Sequence, residues 1–222
     1  MTTPAKLLIV NADDFGISRG VNRGIVEAHR HGILTSTSLM VYRPAAVEAA
    51  ALGHECRALS VGLHLELDAD TREDVPTALL RQLDRFGHLM GAPPTHLDSH
   101  HDVHRDPRLQ PHILTLARSL GVPLRGYCHV RHLSKFYAQW GGQTHLEQVS
   151  VAGLLRLLDA ELCPGVTELT CHVGYVDEGL TSSYTVEREA ELRTLCDSGV
   201  RQALAERGIR LTGFRDLAER AA

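Results

Sequence analysis

The feature that most limits the fold is a repeated alternation of short apolar runs with stretches of helical period. Lys6-Leu-Leu-Ile-Val-Asn11 is a continuous apolar run with branched residues, the pattern of a strand buried on both faces. It ends in the polar turn Ala12-Asp13-Asp14-Phe15-Gly16. Residues 18–31 then carry a helical pattern: Ser18 stands at the N-cap position, Val21, Ile25, Val26 and Ala28 form the apolar face, and Gly32 closes it. The same reasoning predicts strands at 35–41, 60–67, 95–100, 122–125, 166–173 and 209–212. It predicts helices at 44–52, 78–86, 108–121, 151–161 and 187–207. The rest of 68–92 reads as polar and irregular, and 135–142 as a loop rich in aromatic residues and glycine.

Strands that alternate with helices pair in parallel, so the fold class is α/β. About seven strands, most followed by a helix, match a (β/α) barrel of the TIM type, deformed or incomplete. A doubly wound open sheet is the alternative. There is no repeat, low-complexity tract or linker, so residues 1–222 read as one domain.

Composition removes several functions. The net charge is −4 and no Lys/Arg stripe is present, which argues against nucleic acid as a partner. No run approaches the ~18 apolar residues of a membrane span. The first residues, Met1-Thr-Thr-Pro-Ala-Lys6, lack a secretory-signal pattern, so a cytoplasmic location is expected. The five cysteines are odd in number, widely spaced and without a CxxC pair, so buried free thiols are expected.

The anomaly is histidine. The chain has 14, and five lie between His96 and His112. Asp13 and Asp14 follow the first strand, His64 lies late in the third, His100, His101 and His104 close the fourth, and His172 closes a later one. In parallel α/β folds the C-terminal strand ends form the functional face, so four strands deliver Asp or His to one rim. Successive strand residues point to opposite sides, so Asp13 and Asp14 share a site only if the chain turns there. Two adjacent carboxylates repel unless a cation separates their roles, one as ligand and the other as base; a turn or helix cap is the competing explanation. His64 alone reads more readily as a core histidine than as a ligand, with Glu66 on the same face. In Asp98-Ser99-His100-His101-Asp102-Val103-His104, the i, i+4 spacing places His100 and His104 on one face if the stretch is helical. Asp98 is suited to orient a ligand histidine through its second nitrogen. His172 suits a general acid, or a core position.

These motifs resemble the YdjC-like carbohydrate deacetylases. Leu8-Ile-Val-Asn-Ala-Asp-Asp-Phe-Gly16 looks like the family's opening signature, and Gly32-Ile-Leu-Thr-Ser-Thr-Ser38 continues it. Gly62-Leu-His64, Pro94-Thr-His-Leu-Asp-Ser-His-His-Asp-Val-His104 and Gly208-Ile-Arg-Leu-Thr-Gly-Phe-Arg-Asp216 are similar to later segments. The resemblance implies a barrel-like deacetylase fold and one divalent ion, magnesium or zinc. It implies Asp14, His64 and His100 as metal ligands, Asp13 as general base and His172 as general acid. Arg125 looks like an arginine beside the base in related deacetylases, and Arg125 and His104 are expected at the substrate. Two departures stand out: Asp102 replaces the third histidine of the family's HHHVH, and the chain is short between Leu67 and Pro94.

The reading is therefore a metal-dependent hydrolase that removes an acetyl group from an amino sugar or short oligosaccharide. Its expected partner is a small carbohydrate, and its expected assembly a homodimer. Hydrolysis of another bond, such as a phosphoester, is the rival chemistry, and it calls for Arg/Lys clusters near the motifs. A non-catalytic sugar-binding protein is the rival class; it needs neither base nor acid.

Overall fold

Strand β1 (Lys6–Phe15) is the axis of the sheet, because it has partners along both edges. The structure, a computed structural model, describes residues 5–67 and 74–221. The readings of the chain start and of the first part of 68–92 lie partly outside these residues.

The other strands are β2 (Ser36–Leu39), β3 (Ser60–Leu65), β4 (Leu97–Ser99), β5 (Arg131–Leu133), β6 (Gln139–Trp140), β7 (Gln143–Thr144), β8 (Gly165–Cys171) and β9 (Ile209–Leu211). The main sheet runs β4-β3-β2-β1-β8-β5, and every pair is parallel. β9 lies end to end with β2 along one edge of β1: Thr212 donates its N–H to the Leu8 carbonyl and Thr35 to that of Val10. Among the described residues, seven strands thus form the sheet.

Side chains alternate along β1. Leu8, Val10 and Ala12 enter the main apolar cluster with α1 (Arg19–His31), whereas Ile9 packs on Val130 and Phe214. Asn11 continues that second face and donates to Asp13 and Ser38. The interior face becomes polar toward the strand ends, unlike the branched apolar layers that usually fill such barrels. Gly62 makes room for this: a Cβ there would stand 2.3 Å from the His96 ring, which stacks on Phe214 at 4.0 Å. Across the interior, Arg125 reaches Asp13 on β1, Asp98 on β4 and Glu168 on β8. Contacts from one sheet edge to the far strands require curvature, so the fold is a deformed, incomplete (β/α) barrel and not a flat doubly wound sheet.

Four elements differ from expectation, and β5 is one, a strand where the sequence pattern predicts none. The strand expected at 122–125 is a single bridge, Leu97 to Leu124, flanked by two backbone bonds. Pro123 has no N–H to donate, and Gly126 turns the chain at φ 74°. The long helix expected at 187–207 is two. α6 (Val186–Leu195) and α7 (Ser198–Glu206) are separated at Asp197, whose side chain caps the Gly199 N–H. The 135–142 loop contains the β6–β7 hairpin, turned by Gly141 and Gly142 at positive φ. The remaining helices are α2 (Ala46–Glu55), α3 (Val75–Met90), α4 (Gln110–Leu120), α5 (Val151–Glu161) and α8 (Phe214–Ala221). Among the described residues no helix is long and apolar enough to cross a membrane.

Candidate active site

Both aspartates face the strand-end cavity because the backbone kinks at the second. Asp14 has φ 69°, and the β1–β2 register shifts between Ala12 and Phe15. A non-glycine residue in this region costs on the order of 1 kcal/mol. Asn22 of α1 braces the turn: its side chain accepts from Gly16 N–H and donates to the Ala45 carbonyl and Glu48.

Asp13 is held by Arg125, which donates to both carboxylate oxygens at 2.8 and 2.7 Å. The same guanidinium donates from Nε to Glu168 and lies 2.7 Å from Asp98. Burial, the largest influence, would raise the Asp13 pKa, but Arg125 and His64 together outweigh it and the net shift is downward. Glu168, whose burial is less fully compensated, is pushed up to about 7. Asp98 lies 2.7 Å from His64 Nδ1 and accepts from the Ser38 hydroxyl at 2.6 Å. It thus fixes the orientation of the His64 ring. Burial opposes a proton on His64, but Asp98, Asp13 and Asp14 outweigh it and lift its pKa to about 9. Carboxylates that hold a proton there so strongly would equally favour a metal cation.

Asp14, His64 and His100 converge. Asp14 Oδ1 lies 3.7 Å from His64 Nε2 and 3.3 Å from His100 Nδ1. Its other oxygen accepts from Arg188 at 2.6 Å, whereas Oδ1 is buried without a hydrogen-bond partner among the described residues. Ligands about 2.0–2.2 Å from a tetrahedral ion stand roughly 3.3–3.6 Å apart, so these three donors fit one cation. A second cluster, Asp13, His64 and Asp98, also brings donor atoms together. Its members already satisfy one another and Arg125, which makes it the weaker cation site.

His172 follows β8, the strand that pairs with β1 beside Asp13. Burial lowers its pKa, against the pull of Asp14 and Asp13. Its backbone N–H donates to Glu191 Oε2 at 2.5 Å, and the other Glu191 oxygen accepts from the Tyr184 hydroxyl. Tyr184 stacks on Tyr137 at 4.6 Å and 5°. The cavity encloses about 370 Å³. Asp13, Asp14, His64, His100, Arg125 and His172 all line it.

Not every sequence-selected residue turns a free polar group to the cavity. The stretch His100–Arg105 is a 3₁₀ turn with His101 and Asp102 at positive φ, so His100 and His104 do not share a face as the i, i+4 spacing predicts. His104 is fully buried against Ser99, its Nδ1 2.7 Å from the hydroxyl, and it is absent from the cavity lining. The guanidinium of Arg125 is engaged by carboxylates, so it positions Asp13. Glu66 pairs with Arg43 at 2.5 Å. Cys171 turns to the other side of β8, where its thiol donates to the Asn11 carbonyl and burial raises its pKa.

Sequence reasoning missed Arg188, Glu191, Tyr184 and Tyr137. The first two lie on α6 among Glu187 and Glu189, where alternating charges usually mark a solvated face. Their available signal was the lack of a regular apolar stripe on that helix.

Fold and site together define a barrel-like α/β protein with a carboxylate–histidine cavity at the C-terminal ends of its parallel strands. The family model described as YdjC-like protein matches residues 7–78 and 68–206, and the chain belongs to that family. It is 35% identical to a chitooligosaccharide deacetylase of Proteus mirabilis (strain HI4320), covering 96% of this chain and 99% of the relative. That alignment spans 251 positions against 222 residues here, so the relative carries insertions this chain lacks. Among solved structures, a protein of Enterococcus faecalis V583 named for a proposed cellobiose-phosphate cleavage is similar: TM-score 0.82, 28% identity, 96% and 99% coverage. A family 4 acetyl xylan esterase of Clostridium thermocellum, solved with a cobalt ion, shares the fold at TM-score 0.60 and 10% identity, with 96% and 90% coverage.

Proposed function

We propose that this protein hydrolyses the N-acetyl amide of an amino sugar or short oligosaccharide, using one divalent ion held by Asp14, His64 and His100. The observation that carries the reading is Asp14 Oδ1, buried and without a hydrogen-bond partner among the described residues, between two imidazole nitrogens while Arg188 occupies the other oxygen. Relatives named chitooligosaccharide deacetylase support the reaction type. Two imidazoles and one carboxylate favour zinc over magnesium, which prefers all-oxygen sets.

Bound there, the ion would polarise the acyl carbonyl and acidify a water molecule. Asp13 is the base. Arg125 keeps it ionised and fixed, and each carboxylate oxygen has two lone pairs, so Oδ2 retains one for the proton of the attacking water. The water oxygen adds to the carbonyl carbon as that proton moves to Asp13. His172, in the protonated form that burial disfavours and Asp14 and Asp13 favour, then gives a proton to the amine nitrogen as the C–N bond breaks. Asp98 holds His64 in the tautomer that presents Nε2 to the cavity. Phosphoester hydrolysis is less well served, because Arg125 and Arg188 both already bind carboxylates.

The test pairs two variants. Asp13→Asn is expected to keep the metal and lose acetate release by about 10²-fold or more, since a positioned base contributes about 10²–10⁴-fold. Asp14→Asn is expected to lose the metal, read by elemental analysis after dialysis. A metal-free Asp13→Asn protein would exchange the two roles.

A further inference from the structure

Resting on that deacetylase reading, we infer that Tyr137, backed by Tyr184, is the platform on which the sugar ring carrying the acyl group stacks. Tyr137 is 36% exposed although it lines the cavity, and its hydroxyl has no hydrogen-bond partner among the described residues. One face of its ring lies parallel on Tyr184 at 4.6 Å. Its ring also meets His172 edge-on, with centroids 5.8 Å apart.

The wall is built to stay in place. The Tyr184 hydroxyl donates to Glu191 and accepts the Ala138 N–H at 3.0 Å. The second Glu191 oxygen takes the His172 N–H. One buried carboxylate therefore ties the segment after β5, the segment before α6 and the end of β8 together. Tyr184 also accepts Arg188 Nε through its carbonyl, and Arg188 holds Asp14. Such anchoring orders an aromatic face that the core does not need, since Tyr184 is buried and Tyr137 is the outer ring.

The chemistry around that face matches a pyranose. A sugar ring presents an apolar C–H face and equatorial hydroxyls, which call for an aromatic plate with short hydroxyl side chains beside it. Ser182 and Ser183 line the same cavity; the Ser182 hydroxyl accepts the Tyr184 N–H and keeps its own proton to donate, and the Ser183 hydroxyl donates to Gln139 and keeps lone pairs to accept. Placed on Tyr137, the ring stands on the His172 side of the cavity. Its acylated nitrogen lies toward His172, and the acyl group points across to Asp13 and Asp14. Tyr137 thereby sets substrate class and orientation and makes no bond change itself.

The experiment compares wild type, Tyr137→Phe and Tyr137→Ala as full chains with zinc. The substrates are the β-1,4 disaccharide of N-acetylglucosamine and 4-nitrophenyl acetate, an ester without a sugar. Tyr137→Ala is expected to raise KM for the disaccharide roughly 10–100-fold with kcat changed only a few-fold, and far more than KM for the ester. Tyr137→Phe, which keeps the plate, is expected to stay within about threefold. Equal effects on both substrates, or an unchanged disaccharide KM, would overturn the inference. Saturation-transfer NMR with the disaccharide gives a readout independent of turnover. Signal on wild type that Tyr137→Ala abolishes supports the platform even if no acetate is released, an outcome that would defeat only the proposed reaction. No signal on wild type would overturn the platform itself.

Discussion

Arg188 Nη2 lies 2.6 Å from Asp14 Oδ2 and so turns the other oxygen, Oδ1, toward His64 and His100. Residues that orient a ligand typically contribute 10–100-fold in metal affinity when removed. Arg188→Met is therefore expected to weaken zinc binding by about that factor, measured by competition with a chromophoric chelator. Unchanged affinity would show that Asp14 holds its rotamer without the arginine.

Arg125 serves three buried carboxylates at once, Asp13, Asp98 and Glu168. Arg125→Met leaves them without their common cation. Breaking a buried pair from one side costs about 3–5 kcal/mol, so a fall of that size is expected in the unfolding free energy obtained from the denaturant midpoint and slope. An unfolding free energy within about 1 kcal/mol of wild type, roughly a fivefold step in the folding constant, would mean that His64 and water replace the arginine fully.

Gly62 admits the His96 ring. In Gly62→Ala the new Cβ would meet three ring atoms at 2.3–2.5 Å, and Phe214 stacked behind the ring limits its retreat. Overpacking of this kind costs about 1–3 kcal/mol, read as a lower Tm. His64, two residues on, is expected to move with the strand, so metal affinity should fall as well.

His96 also gives a pH signature. Burial depresses its pKa to about 4, against the ordinary 6.5. Between those values the unfolded chain takes up a proton that the folded chain does not. The stability is therefore complete above about pH 6.5 and is lost progressively as pH falls toward 4, by up to about 3 kcal/mol. Glu168, raised to about 7, works in the opposite sense but is common to both proteins compared. His96→Gln should show a shallower fall in Tm between pH 7 and 5 than wild type. Parallel pH curves would remove His96 as the source.

Much of this architecture is visible in the sequence because the central strands are buried on both faces, which writes them as unbroken apolar runs such as Leu7–Val10. β5 is not, because Arg131 is exposed and His132 half-buried at the sheet's edge. The helix break at Asp197 depends on one local cap that a 3.6-residue period does not register. In the site, Asp and His at strand ends stand out because apolar strands rarely carry them. The turn that lets Asp13 and Asp14 share a cavity is made at Asp14 itself and not at Gly16 alone, which only backbone geometry reveals. Arg188 and Glu191 look like any exposed helix charges until their burial is known, and Tyr137 reads as a loop aromatic.

The most direct test of the central claim is acetate release from the N-acetylglucosamine disaccharide by chelator-stripped protein, before and after one equivalent of zinc or magnesium is restored. Release that is absent from the stripped protein and returns with the ion is the expected result. Release that persists without the ion, or that never appears with either ion, would contradict it.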